Sequence, residues 1–232
     1  MAIFNRGWRE GILARLYRKL LHSFYVNDLW LDLRLHAKQE AVQYIIQKMP
    51  EAMVRRDRYD LLNFALSRAP AEGLILEFGV EKGLSLRHLA GQTSRLVHGF
   101  DSFEGLPGDW TGTKEAKGAF SRGRKAPKIM PNNRLHIGWF DATLPQFLRE
   151  NPEPCALIHI DCDIYESTRT VLRLLRERIQ SGTVIVFDEY FNYPGWRGHE
   201  FKAFGEFIAK TNIGYEYLAY AGEKGHVAVV IT

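Results

Sequence analysis

Four acidic residues stand where they could do chemistry: Asp161 and Asp163 in ALIHIDCDIYES, and Asp188 and Glu189 in TVIVFDEY. Each pair follows an apolar, β-branched run, the mark of a buried strand, so each sits where that strand leaves a sheet. Neighbouring strands lie about 5 Å apart. If these two are neighbours, three or four carboxylates meet in one small volume. Like charges that close raise one another's pKa unless a cation or shared protons intervene. A divalent metal bound through oxygen resolves the repulsion most simply.

The elements that must position these acids follow from periodicity. Residues 8–24, 28–49 and 57–69 read as helices, the last two ended by Pro50 and Pro70. The pattern then changes to short apolar strands alternating with helices. Strands are predicted at 73–79, 95–100, 134–138, 155–160 and 183–187, with helices at 84–91, 143–150, 166–179 and 200–211. Two further strands, 215–220 and 226–231, are close enough for an antiparallel hairpin at one edge. This alternation predicts an α/β fold: a doubly wound, mainly parallel seven-stranded sheet covered on both faces. Residues 1–70 read as an N-terminal helical extension, a cap or oligomer contact, and 71–232 as the sheet domain. The Gly-, Pro- and Lys-rich stretch 105–133 is long enough to be a lid, a binding loop or disordered.

Ligands of open α/β sheets bind outside the carboxyl ends of the strands. The first long strand runs into EFGVEKGLS, residues 77–85. Gly79 permits a tight turn, and Gly83 lets a ligand approach the next helix. Asp101 ends the following strand, where an acid accepts hydrogen bonds from a ribose. Glu81 would repel a pyrophosphate, which argues against a dinucleotide. A sulfonium nucleoside carries no phosphate and tolerates acids, which points to S-adenosylmethionine.

The segments LILEFGVEKGLSLRHLA, VHGFDSFEGLP, IGWFDATLPQFL, LIHIDCDIYEST and GTVIVFDEYF, in this order, resemble a class I S-adenosylmethionine-dependent methyltransferase. More narrowly they resemble the macrocin O-methyltransferase family, which methylates sugar hydroxyls with a bound Mg2+ ion. The resemblance implies that Glu77, Gly79, Gly83 and Ser85 line the methionine end of the cofactor. It implies that Asp101 takes the ribose hydroxyls, with Ser102 and Phe103 beside the ribose and adenine. Asp141 falls where the family borders the adenine, although an acid there also suits a helix N-terminus without any ligand. The metal ligands implied are Asp161, Asp188 and Glu189, with Glu189 departing from the family's usual aspartate. Asp161 and Asp163 are the candidate catalytic residues. Asp163 shares a strand face with Asp161 if the strand persists and is a candidate base or outer ligand; alternatively it caps the next helix. His159 reads as a hydrogen-bonded core residue, and His199 as a surface residue at a helix start.

Composition narrows the partners. A net charge of +4 is mildly basic, and the SRGRKAPK stretch reads as a solvated loop, so nucleic acid is not an expected partner. Cys155 and Cys162 stand at opposite ends of one strand, roughly 20 Å apart, too far for a disulfide, so a cytoplasmic setting is expected. No apolar run is long enough to span a bilayer. The basic, amphipathic start suits docking on the body, on a partner subunit (a possible homodimer), or on a membrane surface. The expected activity is O-methylation of a small-molecule hydroxyl. The competing readings are a metal-dependent glycosyltransferase and a non-catalytic methyltransferase-like binding protein.

Overall fold

The computed structural model describes residues 28–232 together with Arg15, Leu16 and Lys19, which are helical. The rest of the helix read at 8–24 lies outside the described residues. Helix α1 (Leu29–Lys48) starts where Asp28 Oδ1 accepts the Leu31 amide at 3.1 Å, and it stops before Pro50. A three-residue strand, β1 (Met53–Arg55), leads to α2 (Arg58–Arg68), whose cap Asp57 accepts the amides of Tyr59 and Asp60. Then come β2 (Leu74–Phe78), α3 (Leu84–Gly91), β3 (Val97–Asp101), β4 (Asn133–Ile137) and α4 (Phe140–Glu150). The chain continues through β5 (Cys155–Ile160), α5 (Tyr165–Leu175), β6 (Val184–Phe187), α6 (Glu200–Thr211), β7 (Tyr215–Ala221) and β8 (Val227–Ile231).

The strands form one sheet in the order β1-β7-β8-β6-β5-β2-β3-β4, and β8 runs against its neighbours while the rest are parallel. The sequence predicts seven strands, but the sheet has eight. Strand β1 pairs in parallel with β7, so the β7–β8 pair is one strand in from the edge. Three residues, with Met53 and Val54 exposed, are too few to show an alternation, which is why the pattern misses them. Residues 53–68, assigned above to an N-terminal extension, therefore help build the sheet domain.

Both faces are covered. Helices α1, α4, α5 and α6 pack residues such as Ala41, Phe147, Leu172 and Phe204 on one side, where Leu76 and Phe78 point. Helices α2 and α3 pack Leu61, Leu62, Leu86 and Leu89 on the other, against Ile75 and Val186. The loop 105–133 is folded over the carboxyl edge: Leu106 exchanges backbone hydrogen bonds with Ala119 and Gly118, both 2.9 Å, and Trp110 and Leu106 are buried with Ile164. Both cysteines are buried and free.

Strand order reverses between β5 and β2, which opens the crevice where such sheets bind ligands. Register decides what meets there. Phe100, Phe78, Ile160 and Phe187 are consecutive cross-strand partners on β3, β2, β5 and β6. The next residue on each strand is Asp101, Gly79, Asp161 and Asp188, so these stand in one row along the crevice. One position earlier, Glu77 pairs with His159.

Candidate active site

A cavity of about 270 Å³ opens along this row. Its walls include Gly79, Asp101, Ser102, Asp161, Asp188 and Glu189, with Leu106, Trp110 and Phe120 contributed by the folded loop. Gly79 is left-handed, with φ +91°. A Cβ there would overlap the Asp161 carbonyl oxygen and lie 2.6 Å from its carbonyl carbon, so only glycine lets β2 leave the sheet so close to β5.

At one end Asp101 organises the glycine loop. Its Oδ2 accepts the amides of Val80 and Glu81, both at 2.8 Å, and its Oδ1 accepts the Phe103 amide at 2.7 Å. A carboxylate has about four lone-pair sites, so one remains for a ribose hydroxyl. Ser85 lines the cavity from the first turn of α3, while its hydroxyl donates to Glu77 at 3.1 Å. Glu77 itself is fully buried and also meets His159 Nδ1 at 2.9 Å. It braces the site from beneath and does not line it. Gly83 precedes α3 at φ +67°, and Phe103, buried at φ +56°, turns the chain after β3. The structure does not bring Asp141 to the cavity. It is exposed in the first turn of α4, whereas its neighbours Trp139 and Phe140 line the wall.

The acids gather at the other end. Arg58 Nη2 donates to Asp161 Oδ2 at 2.7 Å and lies 3.4 Å from Asp188 Oδ1. The same Asp188 oxygen lies 3.0 Å from His226 Nδ1 and 3.6 Å from His159 Nε2. Burial alone would raise Asp188, but His159, His226 and Arg58 hold its carboxyl well below the ordinary range. His159 is buried, which disfavours its charge, yet Asp188 and Glu77 push it up to about 9. Asp161 is raised to about 6 by burial and by Asp188. Burial and then Asp161 raise Asp163 well above the usual value, and this residue adopts φ +63° in the turn after β5. Glu189 is pushed up to about 8 by burial, Asp188 and Asp161.

The donor set fits a hard cation. Asp161, Asp188 and His159 each offer an atom within 4.8 Å of the others, and Glu189 and Asp163 crowd the same cavity wall with carboxyls raised in pKa. Glu189 stands outside that converging group. Without a cation the crowding has a measurable sign. A carboxyl raised above its ordinary value keeps a proton in the folded chain that the unfolded chain has released. With chelator present, stability is therefore expected to fall as pH rises between 4.5 and about 8. Glu189→Gln should flatten this decline by up to about 1.4 kcal/mol per pH unit. Denaturant unfolding across that range checks it, and an unchanged slope would place the Glu189 carboxyl elsewhere.

Residues 76–190 match the family model described as a methyltransferase domain. The chain carries a methyltransferase domain on a class I methyltransferase fold. No curated protein matches it by sequence. Among solved structures the methyltransferase is similar to the calicheamicin methyltransferase CalS11, at 24% identity and TM-score 0.59, over 98% of this chain and 94% of that one. The O-methyltransferase NovP follows at 23% identity and TM-score 0.54, covering 75% and 78%. An O-methyltransferase of Bacillus cereus, solved with S-adenosylhomocysteine (SAH), gives 19% identity and TM-score 0.51 over 90% and 96%. At these identities the likeness is one of fold.

Sequence reasoning missed three residues of the methyltransferase's acid cluster. Arg58 stands in a run of charges, RRDR, and its one hint is a cation at a helix N-terminus, the unfavourable end of the dipole. His226 begins an apolar strand, and Glu200 begins α6, fully buried, with Oε2 accepting the Glu189 amide at 3.0 Å. His199, read as a surface residue, is buried because the folded loop covers it: Nε2 meets the Thr111 carbonyl at 2.9 Å. His159 is the buried, hydrogen-bonded residue expected.

Proposed function

We propose that this methyltransferase is an O-methyltransferase, moving the sulfonium methyl of S-adenosylmethionine to a hydroxyl of a small molecule such as a sugar or natural-product scaffold. The observation that carries the reading is the single row of Asp101, Gly79, Asp161 and Asp188, which sets a nucleoside end beside an acid end in one cavity. CalS11, described in its ligand-free form as a TDP-rhamnose 3'-O-methyltransferase at 23% identity, and NovP support a hydroxyl acceptor by analogy. No helix among the described residues is long and apolar enough to cross a membrane. A cytoplasmic setting and a homodimer remain part of this proposal.

Transfer forms a C–O bond as the methyl–sulfur bond breaks. The sulfur keeps the bonding pair as a neutral thioether, and the acceptor proton must leave. Asp101 and the glycine loop would hold the nucleoside, and in-line placement supplies much of the acceleration. The Asp161 and Asp163 carboxyls, both raised in pKa, suit the base and its support at the acceptor oxygen. Mg2+ held by Asp161, Asp188 and Glu189 would supply Lewis acidity at that oxygen. Leu106, Trp110 and Phe120 limit water at the mouth.

Thermal shift and calorimetry with SAH against nucleotide diphosphates test the cofactor. Labelled methyl donor offered to an acceptor panel, with the product bond assigned by NMR, tests the reaction. Stabilisation by nucleoside diphosphates alone would favour a metal-dependent glycosyltransferase, and a methyl found on nitrogen or carbon would remove the O-methyl reading. Binding of SAH without turnover of any acceptor, even with Mg2+, would leave a methyltransferase-like binding protein.

A further inference from the structure

We infer that Arg58 is a built-in alternative to the divalent ion: its guanidinium and the cation take turns in the gap between Asp161 and Asp188. The inference rests on the cation reading above. Arg58 comes from the first residue of α2, far in sequence from either acid, and reaches across to Asp161 at 2.7 Å and Asp188 at 3.4 Å. Nothing in its own helix asks for a cation there. Asp57 already caps α2, and the helix dipole disfavours positive charge at that end. The position makes sense through the acids it neutralises, Asp161 above all, since Asp188 also meets His226 and His159.

The fit of the guanidinium is incomplete. An arginine offers five N–H donors, and Arg58 uses one in a hydrogen bond, to Asp161. Its Nε is buried without a partner among the described residues. A buried donor left unpaired is costly, so charge, more than shape, holds the side chain in place. A side chain held this way can be displaced by a stronger cation that takes the same oxygens at closer range. Two cations cannot share so narrow a gap without strong repulsion. The Tyr59 ring, 5.8 Å from the guanidinium carbon, offers a cation–π face along which Arg58 can withdraw. A cation thus stands between the acids in both states, and the acid cluster stays assembled before an ion arrives.

The test compares wild type, Arg58→Gln and Arg58→Lys in thermal unfolding with chelator or millimolar Mg2+, and in Mn2+ titration by electron paramagnetic resonance. Wild type should unfold at nearly the same temperature in both buffers. Arg58→Gln should lose several degrees in chelator, regain them in Mg2+, and bind Mn2+ at least tenfold tighter than wild type. Arg58→Lys, which keeps the charge, should resemble wild type in chelator. Mn2+ bound equally by wild type and Arg58→Gln would overturn the inference and leave the cation reading standing. Mn2+ bound by neither, with Arg58→Gln unrescued, would remove the cation reading and this inference with it.

Discussion

Asp161→Asn is expected to lower methyl transfer by at least about 10³-fold while SAH affinity changes by less than about threefold. Asparagine keeps the size and one oxygen of the side chain but neither accepts a proton nor serves as a good ligand for a hard cation. The expected split follows from position. Asp161 leaves β5 at the acid end, 23% exposed to the cavity, whereas the nucleoside end is built by Asp101 and the amides of Val80, Glu81 and Phe103. Asparagine is preferable to alanine, because truncation would leave Arg58 facing Asp188 alone. Single-turnover transfer of labelled methyl and calorimetry with SAH separate the two effects. Turnover within tenfold of wild type would take Asp161 out of the reaction.

Gly79→Ala should lose about 3 kcal/mol or more of stability and SAH binding together. Two costs add. The left-handed backbone at φ +91° disfavours a Cβ, and that Cβ would meet the Asp161 carbonyl and come within 3.3 Å of the Cys162 amide. Backbone cannot rotate away as a side chain can. Relief therefore requires β2 and β5 to part at their ends, where the Asp161 amide donates to the Phe78 carbonyl at 2.8 Å. That parting separates the nucleoside loop from the acid row. Denaturant unfolding measures the first loss and calorimetry the second. A variant within about 0.5 kcal/mol of wild type would mean the turn can move without cost.

The sheet was legible because apolar runs of strand length alternate with helical periods, and acids at the ends of two such runs can only gather at the carboxyl edge. Asp161 and Asp188 meet as that argument requires. What stayed illegible depends on contacts between distant residues. Arg58 reaches Asp161 from 103 positions away, and no local pattern distinguishes it from the arginines at 55 and 56. The sequence also does not disclose that Asp101 spends most of its capacity on backbone amides, or that Glu77 is tied to His159. These follow from register, which sets Glu77 opposite His159 on the neighbouring strand. Asp141 stands apart for the opposite reason. A motif put it near the cavity, but the start of α4 turns Trp139 and Phe140 inward in its place.

The short strand β1 has a bearing on how this edge of the sheet is protected. It covers Ala219–Ala221 at the end of β7, whose outward backbone donors and acceptors would otherwise face water. An open strand rim is a template for another chain to join, whereas a strand as short as β1 offers a newcomer little to grip. A shortened chain beginning at residue 71 would bare that rim, inviting self-association before any question of catalysis arises.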